Sequence, residues 1–274
     1  MSEIDSSPQR PGRLIGQGRR AEVYEWGDRE VVKLYHAGVP ASDVEHEIRV
    51  AIALADLETP APKYQQRVQI DDRAGLVFEQ IDGASMLAVL SSQPWRVIGL
   101  ARRLADVHAA IHRVSTGTDQ IPAQRETMRM AIASVPDLPE SLRSRALRVL
   151  DRLPDGDRIC HGDFHPDNVL LATGGDFVID WITCSRGCPA ADVARTLVML
   201  RSGDPPPGTP VSRLVAIKAL RKVFVAAYWG RYRRQTGIGP DEVAAWHEPV
   251  VAARLSESLP ASERARLFAE LSRT

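Results

Sequence analysis

Residues 160–181 read "CHGDFHPDNVLLATGGDFVIDW". His161, Asp163, His165, Asp167 and Asn168 crowd into eight residues, and an apolar run follows at once. The pattern predicts a loop, a short strand, a Gly-Gly turn and a second short strand ending at Asp180. Two strands joined by a tight turn bring their outer ends together, so Asn168 and Asp180 are expected side by side. Oxygen-bearing side chains meeting at a loop, with Asp163 five residues before Asn168, suit a hard cation such as Mg²⁺. A magnesium ion with so few protein ligands completes its shell with water and substrate phosphates, which points to a nucleotide.

Upstream of this stretch the chain reads first as sheet and then as helix. "RLIG", "AEVYEW" and "EVVKLY" are short, β-prone segments separated by the turns "GQGRR" and "GD". "SDVEHEIRVAIALADLE" follows with Ser42 and Glu45 in capping-box spacing and an apolar helical period. "YQQRVQI" and "AGLVFEQI", joined by "DDRAG", complete a small antiparallel sheet. From Asp82 onward the periods are helical, as in "PWRVIGLARRLADVHAAIHRV", where Val97, Leu100, Leu104, Val107 and Ile111 form one apolar stripe. Further helices are expected in "AQRETMRMAIASV", "ESLRSRALRVL", "AADVARTLVML", "VSRLVAIKALRKVFVAAYWGRYRRQ", "DEVAAWHEPVVAARL" and "ASERARLFAELS". The division is 1–82, a sheet with one helix, and 83–274, mainly helical, joined by a connector near Gln80 to Gly83. The start "MSEIDSSPQRPGR" is expected to be disordered and the loop "SGDPPPGTP" to be mobile.

Composition narrows the partners. The 274 residues are 44% hydrophobic and 26% charged, with zero formal net charge, an ordinary globular balance. Residues 201–274 hold 12 Lys and Arg against 7 Asp and Glu, leaving 23 against 28 in the first 200. Neither a long basic run nor a basic aromatic face is present, so no nucleic-acid partner is expected. Nor is there a stretch of about 18 apolar residues or an apolar signal core, so a cytoplasmic protein with no membrane partner is expected. Cys160, Cys184 and Cys188 are an odd count without a disulfide pattern and read as small buried apolar groups.

The motif H-G-D-x-x-x-x-N followed by I-D-W resembles the catalytic segment of the aminoglycoside phosphotransferase and choline kinase superfamily, small-molecule kinases with a protein-kinase-like fold. The resemblance implies an α+β, bilobal fold with a small antiparallel-sheet N-lobe and a larger helical C-lobe. By that resemblance Asp163 is the catalytic aspartate that orients the acceptor hydroxyl, while Asn168 and Asp180 hold Mg²⁺. His161 then supports the loop, and Asp192 in "GCPAADVAR" braces it from the following helix. "LIGQGRRAEVYEW" resembles the nucleotide-covering hairpin, with Gly16 and Gly18 present and the third glycine of G-x-G-x-x-G missing. Lys33 in "VVKLY" and Glu47 fourteen residues later match the phosphate-binding lysine and its acidic partner. "VFEQIDG" resembles the hinge, whose backbone from Glu79 to Ile81 would bind the base of ATP or GTP, and "PVVAARLSE" resembles the family's C-terminal helices.

Eleven residues separate Asp180 from Asp192, too few for the activation loop of a protein kinase, and Gly162 stands where such kinases carry arginine. A small-molecule hydroxyl acceptor is therefore expected: an aminoglycoside-like compound, a sugar or an amino alcohol. Two rivals are a catalytically idle nucleotide-binding regulator of the same fold and a metal-dependent hydrolase using "HGDFH". His161 with His165, and His108 with His112, share the i,i+4 spacing of helical zinc ligands, but loop context and the lack of H-E-x-x-H favour structural roles. Arg19 and Arg20 read as solvated turn residues, and Phe224, Tyr228, Trp229 and Tyr232 as core packing with one or two near the acceptor.

Overall fold

The structure, a computed structural model, describes residues 10–202 and 210–273. The expectations for the first nine residues and for residues 203–209 lie outside the described residues. The first sheet is built from β1 (Leu14–Gln17), β2 (Ala21–Trp26), β3 (Glu30–Tyr35), β4 (Tyr64–Ile70) and β5 (Arg73–Glu79), with α1 (Ala41–Ala55) inserted after β3. Its strand order is β1-β2-β3-β5-β4 and every pairing is antiparallel. Side chains alternate across a strand, so the sheet has two apolar faces. Ala21, Tyr35 and Leu76 meet Val44 of α1, while Trp26, Val32 and Val77 pack on the other face. Lys33 lies two residues before Tyr35 and is thereby carried to the α1 face.

The expected capping box of α1 is not made. The N-cap is Pro40 without a side-chain cap, and Glu45 instead forms an ion pair with Arg67 of β4. A partner presented by the adjacent strand outcompetes the local cap. Glu47 stands three residues after Val44 and three before Val50, so helical periodicity sets all three, each buried, toward the sheet.

The remainder begins not with helix but with β6 (Gly83–Ser85), followed by α2 (Met86–Ser92), α3 (Val97–Ile111), α4 (Gln124–Ser134) and α5 (Glu140–Arg152). Next come β7 (Arg158–Cys160), β8 (Val169–Ala172), β9 (Gly175–Val178) and β10 (Ser185–Gly187), then α6 (Pro189–Ser202), α7 (Val211–Thr236), α8 (Pro240–Ala245), α9 (His247–Arg254) and α10 (Ala261–Leu271). The β8–β9 hairpin is the one expected from the Gly-Gly turn; β6 joins it to give the order β6-β8-β9, and β10 pairs with β7. Three residues are too few to display an alternation, which is why β6, β7 and β10 are silent in the sequence. Gly83 is required where β6 meets β8, since a Cβ there would stand 2.8 Å from the Leu171 carbonyl oxygen.

The single helix expected across "DEVAAWHEPVVAARL" is two, α8 and α9. Pro249 has no N–H for the Ala245 carbonyl and its ring would clash there, and α8 ends at Ala245. One continuous core joins α3, α4, α5, α6, α7, α9 and the β8–β9 hairpin, with Leu104, Ile111, Ile132, Leu150, Phe164 and Tyr228 fully enclosed. Among the described residues no helix is long and apolar enough to cross a membrane.

Candidate active site

Residues 161–164 form a loop whose backbone is held almost entirely by side chains. Asp192, near the start of α6, accepts the His161 N–H on Oδ2 at 2.7 Å and the Gly162 N–H on Oδ1 at 2.9 Å. One turn on, Arg195 donates to the Gly162 carbonyl, and Thr196 donates its hydroxyl to the Phe164 carbonyl at 3.0 Å. Thr183 donates to the His161 carbonyl at 2.9 Å, and Asn168 Nδ2 to the Asp163 carbonyl at 2.9 Å. Gly162 has φ +78°, and a Cβ on it would lie 2.4 Å from the Thr183 carbonyl oxygen; no other residue fits this turn. Asp192, Arg195 and Thr196 are spaced i, i+3, i+4, one face of α6. The role of Asp192 was expected, whereas Arg195 and Thr196 were not singled out, although that spacing carried the signal.

The two histidines of the loop have fixed roles. His161 Nδ1 accepts the Asp163 N–H at 3.1 Å, so its Nε2–H donates to the Ile179 carbonyl at 3.1 Å; burial keeps the ring neutral, lowering its pKa. His165 Nδ1 accepts the Asp167 N–H at 3.3 Å, which puts the Nε2–H 3.6 Å from Asp163 Oδ2, an electrostatic contact too long for a hydrogen bond. Burial opposes the Asp163 charge, but His165, then Arg195 and His161, outweigh it and hold the carboxyl well below the usual range. Both ring nitrogens of His161 are thereby engaged by backbone groups.

Asp163 itself is partly exposed, and the second acid stands across a short gap. The Ile179 N–H donates to the Asn168 carbonyl at 2.9 Å, which sets Asp180 beside Asn168 as the hairpin predicts. Because Asn168 Nδ2 is committed to Asp163, its Oδ1 is the atom turned away from the loop. Asp180 adopts φ 64°, ψ 59°, an uncommon left-handed conformation for a non-glycine residue and one typical of constrained functional positions.

Lys33 links the two lobes. Its ammonium donates to both Glu47 oxygens, at 2.8 and 3.0 Å, and to Asp180 Oδ1 at 3.0 Å. Burial disfavours its charge, yet Glu47 and then Asp180 overcome that and raise its pKa. Tyr35 donates its hydroxyl to Glu47, and burial with that carboxylate pushes the phenol up. Side-chain exposure is 6% for Glu47, 18% for Lys33 and 44% for Asp180, so Asp180 is the solvent-facing end of the chain of charges.

Gly16 and Gly18 lie in the β1–β2 hairpin, with the Gly18 N–H closing the turn on the Ala21 carbonyl at 2.9 Å. Arg19 and Arg20 are not free in solvent: Arg20 pairs with Asp43, and Arg19 donates to the Ser258 carbonyl at 2.7 Å in the turn after α9. In the hinge, the N–H groups of Glu79 and Gln80 are already bonded to the carbonyls of Lys63 and Arg29. Of the three residues from Glu79 to Ile81, the Ile81 N–H is the one backbone donor not engaged among the described bonds. The Ile81 carbonyl accepts from Gly83 at 3.0 Å.

The donor set fits a hard cation with its nucleotide. Asp180 and Asn168 offer one carboxylate and one amide oxygen side by side, with a lysine poised beside them, and no thiol or free imidazole takes part.

A model of the phosphotransferase enzyme family matches residues 11–246. The chain belongs to that family. Similar solved structures include aminoglycoside-3′-phosphotransferase of type VIII, at 22% identity and TM-score 0.58, over 88% of this chain and 91% of that one. Amicoumacin kinase hAmiN, in complex with AMP-PNP, Ca²⁺ and Ami, is 14% identical at TM-score 0.58, over 95% and 87%. Choline kinase from Cryptosporidium parvum Iowa II is 15% identical at TM-score 0.57, over 99% and 90%. At such identities the likeness shows the fold, a small antiparallel sheet joined to a mainly helical part, as this phosphotransferase family member was expected to have. No curated protein matches the chain.

Proposed function

We propose that the protein is an ATP- or GTP-dependent kinase that transfers the γ-phosphoryl group to a hydroxyl of a small molecule. The observation that carries this is the junction of Lys33, Glu47 and Asp180 across the cleft, one backbone bond away from Asn168 and Asp163. Phosphoryl transfer needs alignment and charge compensation rather than covalent catalysis. When bound, Mg²⁺ would be held by Asp180 and Asn168 and would offset the polyphosphate charge.

The chain's own groups divide the remaining work. Lys33, kept protonated by Glu47, binds phosphate oxygens and exchanges its contact with Asp180 for them. The Gly16–Gly18 hairpin covers the phosphates with backbone rather than side chains, and the Ile81 N–H addresses the base. Asp163, ionised at neutral pH, accepts a hydrogen bond from the acceptor hydroxyl and points its oxygen along the line of attack. Its low pKa makes it chiefly an orienting group, with proton transfer completed late.

The acceptor side is narrowed by charge. Glu257, in the turn after α9, pairs with Arg195 at 2.7 Å and Arg254 at 3.3 Å, and Glu263 pairs with Arg254 at 2.7 Å. These acids beside the catalytic loop are compensated internally, which favours a sugar, amino alcohol or other acceptor of low positive charge over a polycationic aminoglycoside. A transfer screen with labelled ATP and GTP against aminoglycosides, macrolides, amino alcohols, sugars and hydroxy amino acids tests the reading. Phosphorylation of one panel member, abolished by Asp163→Asn, supports it. Tight nucleotide binding with no transfer to any member would favour the idle regulator instead.

A further inference from the structure

Behind the catalytic loop lies a buried arrangement that the reaction as described does not use. His108 lies in the last turn of α3 and His112 is its C-cap, while Tyr228 and Tyr232 are one turn apart on α7. His108 Nδ1 lies 2.6 Å from the Tyr228 hydroxyl and His112 Nδ1 lies 2.7 Å from the Tyr232 hydroxyl. Both Nε2 atoms meet the same oxygen, Asp192 Oδ2, at 3.1 and 3.2 Å. That oxygen is also the acceptor for the His161 N–H. All five side chains are buried, and the His108 ring stacks on Phe164 of the loop at 4.0 Å.

Chemistry fixes the direction of every bond. Asp192 can only accept, so each imidazole must present Nε2–H to it, and each Nδ1 must then accept from a tyrosine hydroxyl. The alternative tautomer would aim an Nε2 lone pair at a carboxylate. Asp192 thus receives four donors, two imidazole and one backbone N–H on Oδ2 and one backbone N–H on Oδ1, acceptor capacity that only the ionised carboxylate has. The three side chains His108, His112 and Asp192 bring ligand-type atoms within 4.8 Å of one another. Each of those atoms is already engaged, and the group acts as a hydrogen-bond hub rather than a metal site.

We propose that His108 and His112 are positioning residues: two parallel Tyr→His→Asp192 relays, each requiring the Nε2–H tautomer, orient the carboxylate that holds His161 and Gly162 and thereby place Asp163. The relays tie the register of α7 on α3 to the catalytic loop.

Nuclear magnetic resonance of the imidazole nitrogens in the whole protein at neutral pH reads the tautomers directly, without reference to activity. Both rings are expected to show the Nε2–H tautomer that their partners require, and Tyr232→Phe, which removes only a hydroxyl, is expected to perturb His112. In His112→Leu the amide resonances of His161 and Gly162 are expected to shift; in His112→Gln, whose amide can donate to Asp192, they are expected to return toward their wild-type positions. Where the phosphotransferase reading holds, kcat follows the same order, lower by about tenfold to a hundredfold in the leucine variant with nucleotide KM unchanged, and largely restored in the glutamine variant.

An Nδ1–H tautomer or an imidazolium at either ring overturns the proposal. Unmoved His161 and Gly162 amides in both His112→Leu and Tyr232→Phe overturn it too, as does equal loss of kcat in the leucine and glutamine variants, the signature of packing alone. Should His112→Leu fail to fold, Tyr232→Phe carries the test by itself. Absence of transfer activity in the wild-type protein would remove the kinase reading while the resonance shifts still decide this one.

Discussion

The loop around Asp163 and the turn around Gly18 are held in different ways. Around Asp163 each backbone group from the His161 N–H to the Asp163 carbonyl is tied to a partner, and of the residues supplying those bonds Asp192, Asn168 and His161 are buried, Arg195 half-buried and Thr183 exposed. Around Gly18 the chain is exposed: the Gly18 N–H bonds the Ala21 carbonyl, His36 meets the Arg20 carbonyl with its N–H and the Gly18 carbonyl with its ring, and Arg20–Asp43 and Arg19–Ser258 are further ties. The first is a rigid mount, where a small displacement of the reacting group is costly. The second is a compliant cover, suited to admitting and releasing a nucleotide. Substitutions in the mount should therefore alter kcat and stability, and substitutions in the cover should alter neither by much.

The largest contrast is expected at Asp163. Asp163→Asn should lower kcat by about 10²–10⁴-fold while thermal stability stays within a degree or two of wild type, since the backbone ties of the loop do not involve its carboxylate. Steady-state kinetics beside a melting curve would show it; comparable turnover would remove the mount from the chemistry. Next is Asp192→Ala, which strands four donors in a buried space and should cost about 3–5 kcal/mol of unfolding free energy along with activity, read by urea denaturation. A loss below about 1 kcal/mol would mean that the hub is not what holds the loop.

Lys33→Met should weaken nucleotide binding by roughly tenfold to a hundredfold, because an uncompensated Glu47 remains and a phosphate donor is lost. Acid sensitivity should come next. Burial pushes His108 down to about 3, so between that value and the ordinary histidine range the unfolded chain binds one more proton at this group than the folded one. Stability must then fall as pH falls through that window, by up to about 1.4 kcal/mol per pH unit for this group. Asp163 and Asp192, both held low, add further loss below about pH 4, where unfolded carboxylates take up protons. Urea midpoints between pH 7 and pH 4 test the slope; a flat profile would contradict a neutral buried hub. The smallest change is expected in the cover. Arg19→Ala removes an exposed contact and should alter stability by less than about 1 kcal/mol, with a modest rise in nucleotide KM as its kinetic trace.

Much of this arrangement was legible in the chain. The loop motif, the Gly-Gly hairpin and the order of Lys33 and Glu47 are local or ordered patterns, and they gave the fold and the residues that meet in the cleft. What escaped has a common physical cause. β6, β7 and β10 are too short to show a period, and the α1 cap was displaced by Arg67, a partner that only the sheet brings near. His108 and His112 looked like packing or surface histidines because their partners are 80 or more residues away. A helical stripe states which face is buried, not which polar atom it will find there. Arg195, by contrast, was within reach of sequence reasoning, one turn beyond an aspartate already marked as a brace.

The central claim is that the cleft binds a metal–nucleotide complex through Asp180 while Asp163 acts on the acceptor. Calorimetric titration of a non-hydrolysable ATP analogue, with and without Mg²⁺, into wild-type protein, Asp180→Asn and Asp163→Asn separates the two roles. Binding should depend on Mg²⁺ in wild type, fall sharply in Asp180→Asn and persist in Asp163→Asn. Equal affinity in wild type and Asp180→Asn, or loss of binding in Asp163→Asn alone, would contradict the account.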